Sequence, residues 1–405
     1  MKTLHSSISF VLILCTLCVC DAQTSRQEKT VETGAQQTQE YLPLLEGKRV
    51  AILTNHTAIM GETHLVDSLY ALGVNLTTIF APEHGFRGAA DAGAHIENEV
   101  DLATGIPVVS LYGRLTMPTD SMMHEIDVMM YDIQDVGLRF YTYLSSLYYL
   151  MEACARNDVP LILLDRPNPN GHYVDGPILD MQYKSFVGVV PIPVVHGMTL
   201  GELAGMMNGK NWLKDSLQCN VTVIKCRNYT HASLYELPVK PSPNLPNNRS
   251  IYLYPSLCPF EGTVVSLGRG TPFPFQVYGH PDMTGYPFSF TPEPTPGAMR
   301  PLLNGQLCQG VDLRTSPPDE EVFKDGFSLK YIVDAYQNLN NGTQIGEKFF
   351  RSNGSGFDRL VGASYIRPMI LDGKSAKEIE SLWKDEVIQF KADRKPYLLY
   401  DDIQP

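Results

Sequence analysis

The sequence predicts an α/β protein built on a parallel sheet, followed by a second, smaller α+β domain. Two observations predict the sheet: from residue 48 short apolar runs alternate with amphipathic stretches, and each run ends on polar residues. A third predicts the second domain, because frequent prolines after residue 237 break up long elements. With 405 residues, 43% hydrophobic and 19% charged, the chain can form two domains and is too apolar to be disordered.

Five apolar runs are predicted as parallel strands covered by helices on both sides: Val50–Thr54, Leu76–Ala81, Ile106–Leu111, Val128–Asp132 and Pro160–Asp165. The clearest helix between them is predicted over Tyr141–Asn157. A sixth run, Pro191–Val195, ends at His196. It precedes the capping box Thr199-Leu-Gly-Glu202, which predicts a helix to about Asn208. These elements place the first domain at residues 41–237.

Residues 238–405 are interpreted as the smaller α+β domain, which faces the crevice of the first. The prolines between residues 241 and 296 predict loops and short strands. Helices are predicted over Ser328–Leu339 and Ser375–Phe390, the second of which begins with the capping box Ser375-Ala-Lys-Glu378.

The first 22 residues are expected to be a cleaved signal peptide, which predicts a secreted or lysosomal protein. Lys2 precedes the apolar run Ile8–Cys20, which is shorter than the roughly 20 residues of a membrane span. A lipoprotein anchor is the less favoured alternative, because Leu14 and Leu17 stand where a small residue should precede the cysteine. We therefore expect no membrane anchor. Residues 23–40, rich in Gln, Thr and Glu, are predicted to be a flexible lead-in.

Seven Asn-X-Ser/Thr sequons predict N-glycosylation on a secretory route, with chance occurrence as the alternative. They lie at Asn55, Asn75, Asn220, Asn228, Asn248, Asn341 and Asn353. Five cysteines follow the predicted cleavage site, so at least one thiol is unpaired. Cys154 is expected to be a buried free thiol. Cys219 with Cys226, or Cys258 with Cys308, could form disulfides, and their spacing does not choose between pairings.

Charge and composition exclude several classes of partner. The net charge is −12 and no basic run is present, so nucleic acid is not expected to bind. No Cys/His cluster has zinc-site spacing, and we expect no metal or other cofactor. The oligomeric state is left open by the sequence.

Polar residues follow the predicted strands where a ligand site is expected. They are Asn55, Glu83 with His84, Tyr112 with Arg114, Asp132 with Asp135, and Asp165 with Arg166. In open α/β sheets ligands bind in the crevice at the carboxyl ends of the strands. We therefore expect these side chains to converge on one site.

The segment Ala81-Pro-Glu-His-Gly-Phe-Arg-Gly88 is the densest of these groups. Glu83 could act as a general acid if apolar surroundings disfavour its charge, or as a base or nucleophile if it stays ionised. The alternative is that Glu83 only pairs with Arg87 and shapes the loop. His84 lies beside the carboxylate and is a candidate binding residue.

Two further segments carry carboxylates, arginines and amides: Asp132-Ile-Gln-Asp-Val-Gly-Leu-Arg139 and Asp165-Arg-Pro-Asn-Pro-Asn-Gly171. Asp132, Asp135 and Asp165 could hold a divalent cation. Together with Asn168 and Asn170 they could equally bind the hydroxyls of a sugar. Single imidazoles such as His196 are more often structural than catalytic.

These segments, with Pro191–Thr199, Phe260-Glu-Gly-Thr263 and Gly268-Arg-Gly-Thr271, resemble the exo-β-N-acetylmuramidase family of the NamZ type. The resemblance runs from about residue 41 to the C-terminus. It implies a Rossmann-like domain and a smaller domain with the active site between them. The implied reaction releases non-reducing terminal N-acetylmuramic acid from peptidoglycan fragments. Glu83 matches the family's proposed catalytic glutamate.

The resemblance suggests roles for the other candidate residues. Asp132 or Glu261 would be the second carboxylate, or would orient the acetamido group of the sugar. The lactyl carboxylate of muramic acid requires a cation, and the candidates are Arg87, Arg139, Arg166 and Arg269. Further binding residues would be His84, Asp135, Asp165, Asn168, Asn170 and His196.

Two other functions compete with a glycosidase. The first is a non-catalytic amino-sugar-binding protein with the same cleft, which would bind muramic acid without forming a product. The second is a metal-dependent phosphoesterase or esterase using Asp132, Asp135 and Asp165, which a chelator would inactivate.

Overall fold

The computed structural model describes residues 30–87, 98–340 and 348–402. The predicted signal peptide lies outside these residues, and secretion stays a prediction. Of the lead-in expected to be flexible, the described part contains a 3₁₀-helix at Gly34–Gln36 with Ala35 fully buried. No helix in the described ranges combines the length and apolar character that crossing a bilayer requires.

Twelve strands are present in the described residues: Val50–Thr54 (β1), Ile59–Met60 (β2), Thr63–His64 (β3), Leu76–Ala81 (β4), Glu99–Val100 (β5), Pro107–Ser110 (β6), Val128–Asp132 (β7), Leu161–Leu164 (β8), Val221–Ile224 (β9), Val277–His280 (β10), Phe288–Phe290 (β11) and Cys308–Asp312 (β12). The α-helices in the same ranges are Thr38–Leu45 (α1), Leu65–Ala71 (α2), Asp120–Met123 (α3), Tyr143–Arg156 (α4), Leu200–Gly209 (α5), Asn248–Leu257 (α6), Asp319–Asp325 (α7), Lys330–Leu339 (α8), Ser355–Val361 (α9), Ile366–Leu371 (α10), Ala376–Glu380 (α11) and Lys384–Arg394 (α12).

The main sheet has the strand order β5-β6-β4-β1-β7-β8-β9. All its pairings are parallel except that of β5 with β6. The five predicted strands are confirmed as β1, β4, β6, β7 and β8. The sixth apolar run, Pro191–Val195, is not a strand of this sheet, and its Val195 makes only isolated bridges with Leu138 and Asp175.

Two apolar cores cover the two faces of the main sheet. Along β1, Ala51 and Leu53 belong to one core, whereas Val50 and Ile52 belong to the other. This alternation follows from the two-residue period of a strand. Helix α4 packs in the first core and α2 in the second. Because both faces are covered, every residue of β1, β7 and β8 is buried.

Beyond residue 237 the chain forms the antiparallel sheet β10-β12-β11 together with helices α6 to α12. The predicted α/β class with a smaller second domain is therefore confirmed, while the boundary at residue 237 stays a prediction. The predicted Ser328 helix is α8, and the Ser375 capping box is formed. The proline-rich stretch was wrongly predicted to lack long elements, since α6 spans ten residues and includes Pro255.

All five cysteines in the described residues are buried free thiols. Neither pairing considered from the sequence, Cys219–Cys226 or Cys258–Cys308, is bonded in the structure. Among the predicted glycosylation sites, Asn55 is fully buried and its side-chain oxygen accepts hydrogen bonds from Thr57. A glycan therefore has no room at Asn55 in the folded chain.

Candidate active site

A cavity of about 950 Å³ lies at the carboxyl ends of β4 and β6. One wall carries Glu83, which follows β4, and Tyr112, which follows β6. The second part of the chain also contributes to the lining, with Glu261 and Arg269. The size is at the upper end of the range that is usual for small-molecule sites.

Glu83 stands in a tight turn directly after β4. The amide of Gly85 donates to the carbonyl of Pro82 at 3.0 Å. His84 and Gly85 have φ values of 71° and 78°, so two successive residues adopt the left-handed conformation. For a histidine this costs on the order of 1 kcal/mol. The turn places both Glu83 and His84 in the cavity wall.

Hydroxyl groups hold the Glu83 carboxyl group in place. Thr142, the residue before α4, donates from its Oγ1 to Oε2 of Glu83 at 2.8 Å. The Tyr112 hydroxyl also hydrogen-bonds to Glu83. Burial, and then the charge of Glu83, raise the pKa of Tyr112, so this hydroxyl keeps its proton. The carboxyl group is therefore oriented by donors from two strand-to-helix connections, those after β6 and β7.

Glu261 lies in a 3₁₀-helix, Cys258–Gly262, and forms an ion pair with Arg269. Nε of Arg269 donates to Oε1 of Glu261 at 2.9 Å, and Nη2 donates to the same oxygen. The guanidinium carbon lies 5.0 Å from the ring centroid of Phe275, a cation–π distance. Gly268 and Gly270 both have φ near 80°, so the glycines beside Arg269 form turns.

Four of the residues that the sequence proposed for the site line this cavity: Glu83, His84, Glu261 and Arg269. Asp132 and Arg166 do not. Asp132 ends β7 with no exposed surface, and Nη2 of Arg166 donates to its Oδ2 at 2.9 Å while Nε donates to Oδ1. Both carboxylate oxygens of Asp132 are therefore occupied by the fork of a buried arginine.

The two other arginines proposed to bind substrate also lie outside the cavity lining. Arg139 is fully buried and donates to four backbone carbonyls, those of Pro177, Ile192, Leu360 and Val361, at 2.7–3.0 Å. Arg87 forms ion pairs with Asp101 at 2.6 Å and with Asp67 at 3.6 Å. The alternative that Arg87 pairs with Glu83 is thus not what the structure shows.

Asp165 and His196 lie in buried polar networks. Asp165 accepts hydrogen bonds from Thr199 Oγ1 at 2.7 Å and from the Tyr400 hydroxyl at 2.6 Å. Burial raises the pKa of Asp165 to about 6. His196 Nδ1 accepts from the amide of Met198 at 3.2 Å, and burial lowers the pKa of His196 to about 3, so the ring is neutral.

Asn168 and Asn170 hold backbone segments together. The Asn168 side-chain oxygen accepts from the amide of Asn170 at 2.8 Å, and its Nδ2 donates to the carbonyl of Met198 at 2.9 Å. Asn170 Nδ2 donates to the carbonyl of Val136 at 2.9 Å. Both are buried outside the cavity lining. In the part of the chain that the structure describes, no group of three or more His, Cys, Asp or Glu residues could hold a metal ion.

Asp135 is buried beside the site, and its Oδ1 accepts from the amide of Gly137 at 2.6 Å. Burial raises its pKa to about 7. A carboxyl group whose pKa is raised on folding stabilises the fold below its unfolded pKa near 4, and this stabilisation is lost as the pH rises through 7.

We expect Asp135→Asn to gain stability relative to the wild type between pH 5 and pH 8, by on the order of 3 kcal/mol. Thermal unfolding of both proteins across this range measures the effect. Asp372→Asn, at an exposed aspartate, is the control. Parallel pH curves for Asp135→Asn and the wild type would contradict the assignment.

Tyr112 was among the strand-end residues expected to converge on the site, and it lines the cavity, but no role was predicted for it. Several other cavity residues were not predicted. Thr142 precedes a helix, and Asn244, Arg300 and Arg351 lie outside the α-helices and strands, where no periodic pattern marks a functional position.

Comparison with known proteins identifies the family. The model of the N-terminal region of exo-β-N-acetylmuramidase NamZ matches residues 50–249, and the model of its C-terminal region matches residues 252–400. The chain belongs to the exo-β-N-acetylmuramidase NamZ family. The family predicted from the sequence is thereby confirmed, as is the prediction that the protein is a glycosidase.

Individual proteins match nearly the whole chain. Peptidoglycan beta-N-acetylmuramidase NamZ of Bacillus subtilis (strain 168) is 37% identical over 98% of this chain and 100% of its own length. The crystal structure of a DUF1343 family protein from Bacteroides fragilis NCTC 9343 is 55% identical, with a TM-score of 0.85 over 93% of this chain and 100% of that chain. A second such structure from the same strain is 29% identical, with a TM-score of 0.79 over 92% of this chain and 99% of that chain.

Proposed function

We propose that this NamZ-family glycosidase is a secreted enzyme that releases non-reducing terminal N-acetylmuramic acid from peptidoglycan fragments. The observation that carries the proposal is that two carboxyl groups, Glu83 and Glu261, line the same cavity from two separate parts of the chain. Both charges act on the Tyr112 hydroxyl and add to the burial that raises its pKa. Glycoside hydrolysis generally employs such a pair of carboxyl groups. The name of the Bacillus subtilis relative supports the peptidoglycan substrate.

We assign Glu83 as the acid catalyst, which protonates the oxygen of the scissile glycosidic bond. Its position after a central parallel strand is rigid, and hydroxyl groups of Thr142 and Tyr112 hold the carboxyl group in one orientation. Fixed orientation matters because proton transfer requires the acid within hydrogen-bond reach of the reacting oxygen.

We assign Glu261 as the second carboxyl group of the reaction. Its ion pair with Arg269 fixes the side chain in the cavity wall. A fixed negative charge stabilises the positive charge that develops on the sugar ring in an oxocarbenium-like transition state. Asp132, the other candidate, has both oxygens bound by Arg166 and no exposed surface, so it supports the fold.

Apolar rings provide the rest of the wall that a sugar would contact. Tyr254 packs edge-on against Phe275 with ring centroids 4.6 Å apart, and Phe140 lies 5.6 Å from Tyr254. All three rings line the cavity. A mostly apolar wall with a few polar groups is the usual composition of a small-molecule site.

Incubation with a disaccharide of N-acetylmuramic acid β-linked to N-acetylglucosamine tests the proposal. We expect mass spectrometry to detect both free monosaccharides. The disaccharide with the reverse order of sugars is the matched control and should remain intact, since its muramic acid is not at the non-reducing end. Saturable binding without products would instead support the amino-sugar-binding protein, and cleavage of the reverse disaccharide would contradict the exo specificity.

A further inference from the structure

The arginines chosen from the sequence do not provide the cation that muramic acid requires. The lactyl group of this sugar carries a carboxylate, which guanidinium groups bind well. Arg87, Arg139 and Arg166 lie outside the cavity lining, with partners of their own. Arg269 lines the cavity but is already paired with Glu261. A different cationic side chain must therefore bind the lactyl carboxylate.

Arg300 and Arg351 line the cavity and have exposed side chains. Neither guanidinium group forms a hydrogen bond or an ion pair with another residue in the described ranges. The described lining thus contains three guanidinium groups, of Arg269, Arg300 and Arg351, against the two carboxyl groups of Glu83 and Glu261. The guanidinium groups outnumber the carboxyl groups, and this excess of positive charge complements a sugar that carries a carboxylate.

The backbone beneath Arg300 is firmly held. Asn244 Nδ2 donates to the carbonyl of Gly297 at 2.8 Å, and Thr295 and Ala298 exchange two backbone hydrogen bonds. The amide of Glu293 donates to the carbonyl of Gly270 at 2.8 Å, which ties this loop to the turn beside Arg269. The exposed side chain of Arg300 therefore extends from a backbone that hydrogen bonds hold in place.

The backbone that precedes Arg351 is held in a comparable way. The amide of Val264 donates to the carbonyl of Phe349 at 3.0 Å, and Phe350 forms a bridge with Thr263. The ring of Phe350 also packs on Phe357 with centroids 4.7 Å apart. Fixed backbones reduce the entropy that is lost when the guanidinium groups bind a ligand.

We propose that Arg300 and Arg351 bind the lactyl carboxylate and give the enzyme its selectivity for muramic acid. This assignment rests on the proposed function. Two related sugars lack the free carboxylate: N-acetylglucosamine and N-acetylmuramic acid esterified at its lactyl group. Either sugar leaves both guanidinium groups without an anionic partner. Sites built around a charged group reject ligands that lack the partner charge.

Selectivity is measured with two substrates and two ligands. The substrates are chromogenic β-glycosides of N-acetylmuramic acid and of N-acetylglucosamine, compared by kcat/KM. The ligands are free N-acetylmuramic acid and its lactyl methyl ester, compared by calorimetric affinity. We expect Arg300→Gln and Arg351→Gln each to lower kcat/KM on the muramic acid glycoside by about 10-fold or more. In the double variant, the affinities for the acid and the ester should become similar.

Arg359→Gln, at an exposed arginine outside the cavity lining, is the matched control and should behave like the wild type. A double variant that keeps the wild-type preference for the acid over its ester would overturn the assignment while the wild type still cleaves the muramic acid glycoside. A wild type that neither cleaves that glycoside nor prefers the acid would overturn the proposed function and this assignment together.

Discussion

Glu83→Gln is expected to abolish turnover of the muramic acid glycoside, with kcat falling by about 10²- to 10⁴-fold. The amide cannot donate a proton to the leaving oxygen, although it keeps the size of the carboxyl group and an oxygen that can accept from Thr142. Substrate contacts remain, so KM should change little. Steady-state kinetics together with thermal unfolding separate lost chemistry from lost folding.

Two comparison variants make this result specific. Glu320→Gln, at an exposed glutamate outside the cavity lining, should retain full activity. Asp132→Asn should lower stability, because it removes the charge that faces Arg166. If Asp132→Asn removed kcat without changing stability, while Glu83→Gln stayed active, the catalytic assignment would be wrong.

Arg139→Met is expected to lower the free energy of unfolding by about 3–5 kcal/mol. The guanidinium group donates to carbonyls at Pro177 and Ile192 and to those at Leu360 and Val361, so it joins segments that are far apart in sequence. Burial lowers its pKa to about 9, which still leaves it charged at neutral pH. Methionine fills much of the volume but removes a donor from all four carbonyls, of which that of Ile192 keeps the amide of Leu179. Chemical denaturation monitored by fluorescence measures the loss.

Arg359→Met, an exposed substitution in α9, is the control and should change stability by less than about 0.5 kcal/mol. The sequence proposed Arg139 as a substrate-binding residue. A variant that stays as stable as the wild type but no longer binds N-acetylmuramic acid would support that earlier interpretation and contradict the structural one.

The main sheet could be predicted from the sequence because its central strands are buried on both faces. Strands β7 and β8 are therefore continuous apolar runs, which sequence reasoning detects easily. Pro191–Val195 is an equally apolar run, but its carbonyls at Ile192 and Val194 accept from Arg139 instead of from a strand. Strand β9 was missed because it lies at the sheet edge and is half-exposed. The hydrophobicity of a segment indicates that it is buried, but it does not indicate which groups its backbone hydrogen-bonds to.

The candidate site was only partly predictable for a related reason. The rule that ligands bind at the carboxyl ends of strands located Glu83 correctly in a cavity wall. The same rule also selected Asp132 and Asp165, whose oxygens are bound inside the protein by Arg166, Thr199 and Tyr400. The position in the sequence places a carboxylate at the edge of the sheet. It does not reveal whether other side chains of the protein already bind that carboxylate.

The buried cysteine thiols can be used to measure local unfolding of the chain. Burial raises the pKa of the Cys154 and Cys258 thiols and brings that of Cys308 to about 12. Because only the thiolate reacts readily, these groups resist alkylation while the protein is folded. The rate at which a maleimide or iodoacetamide consumes them therefore reports how often each region opens, without any introduced label.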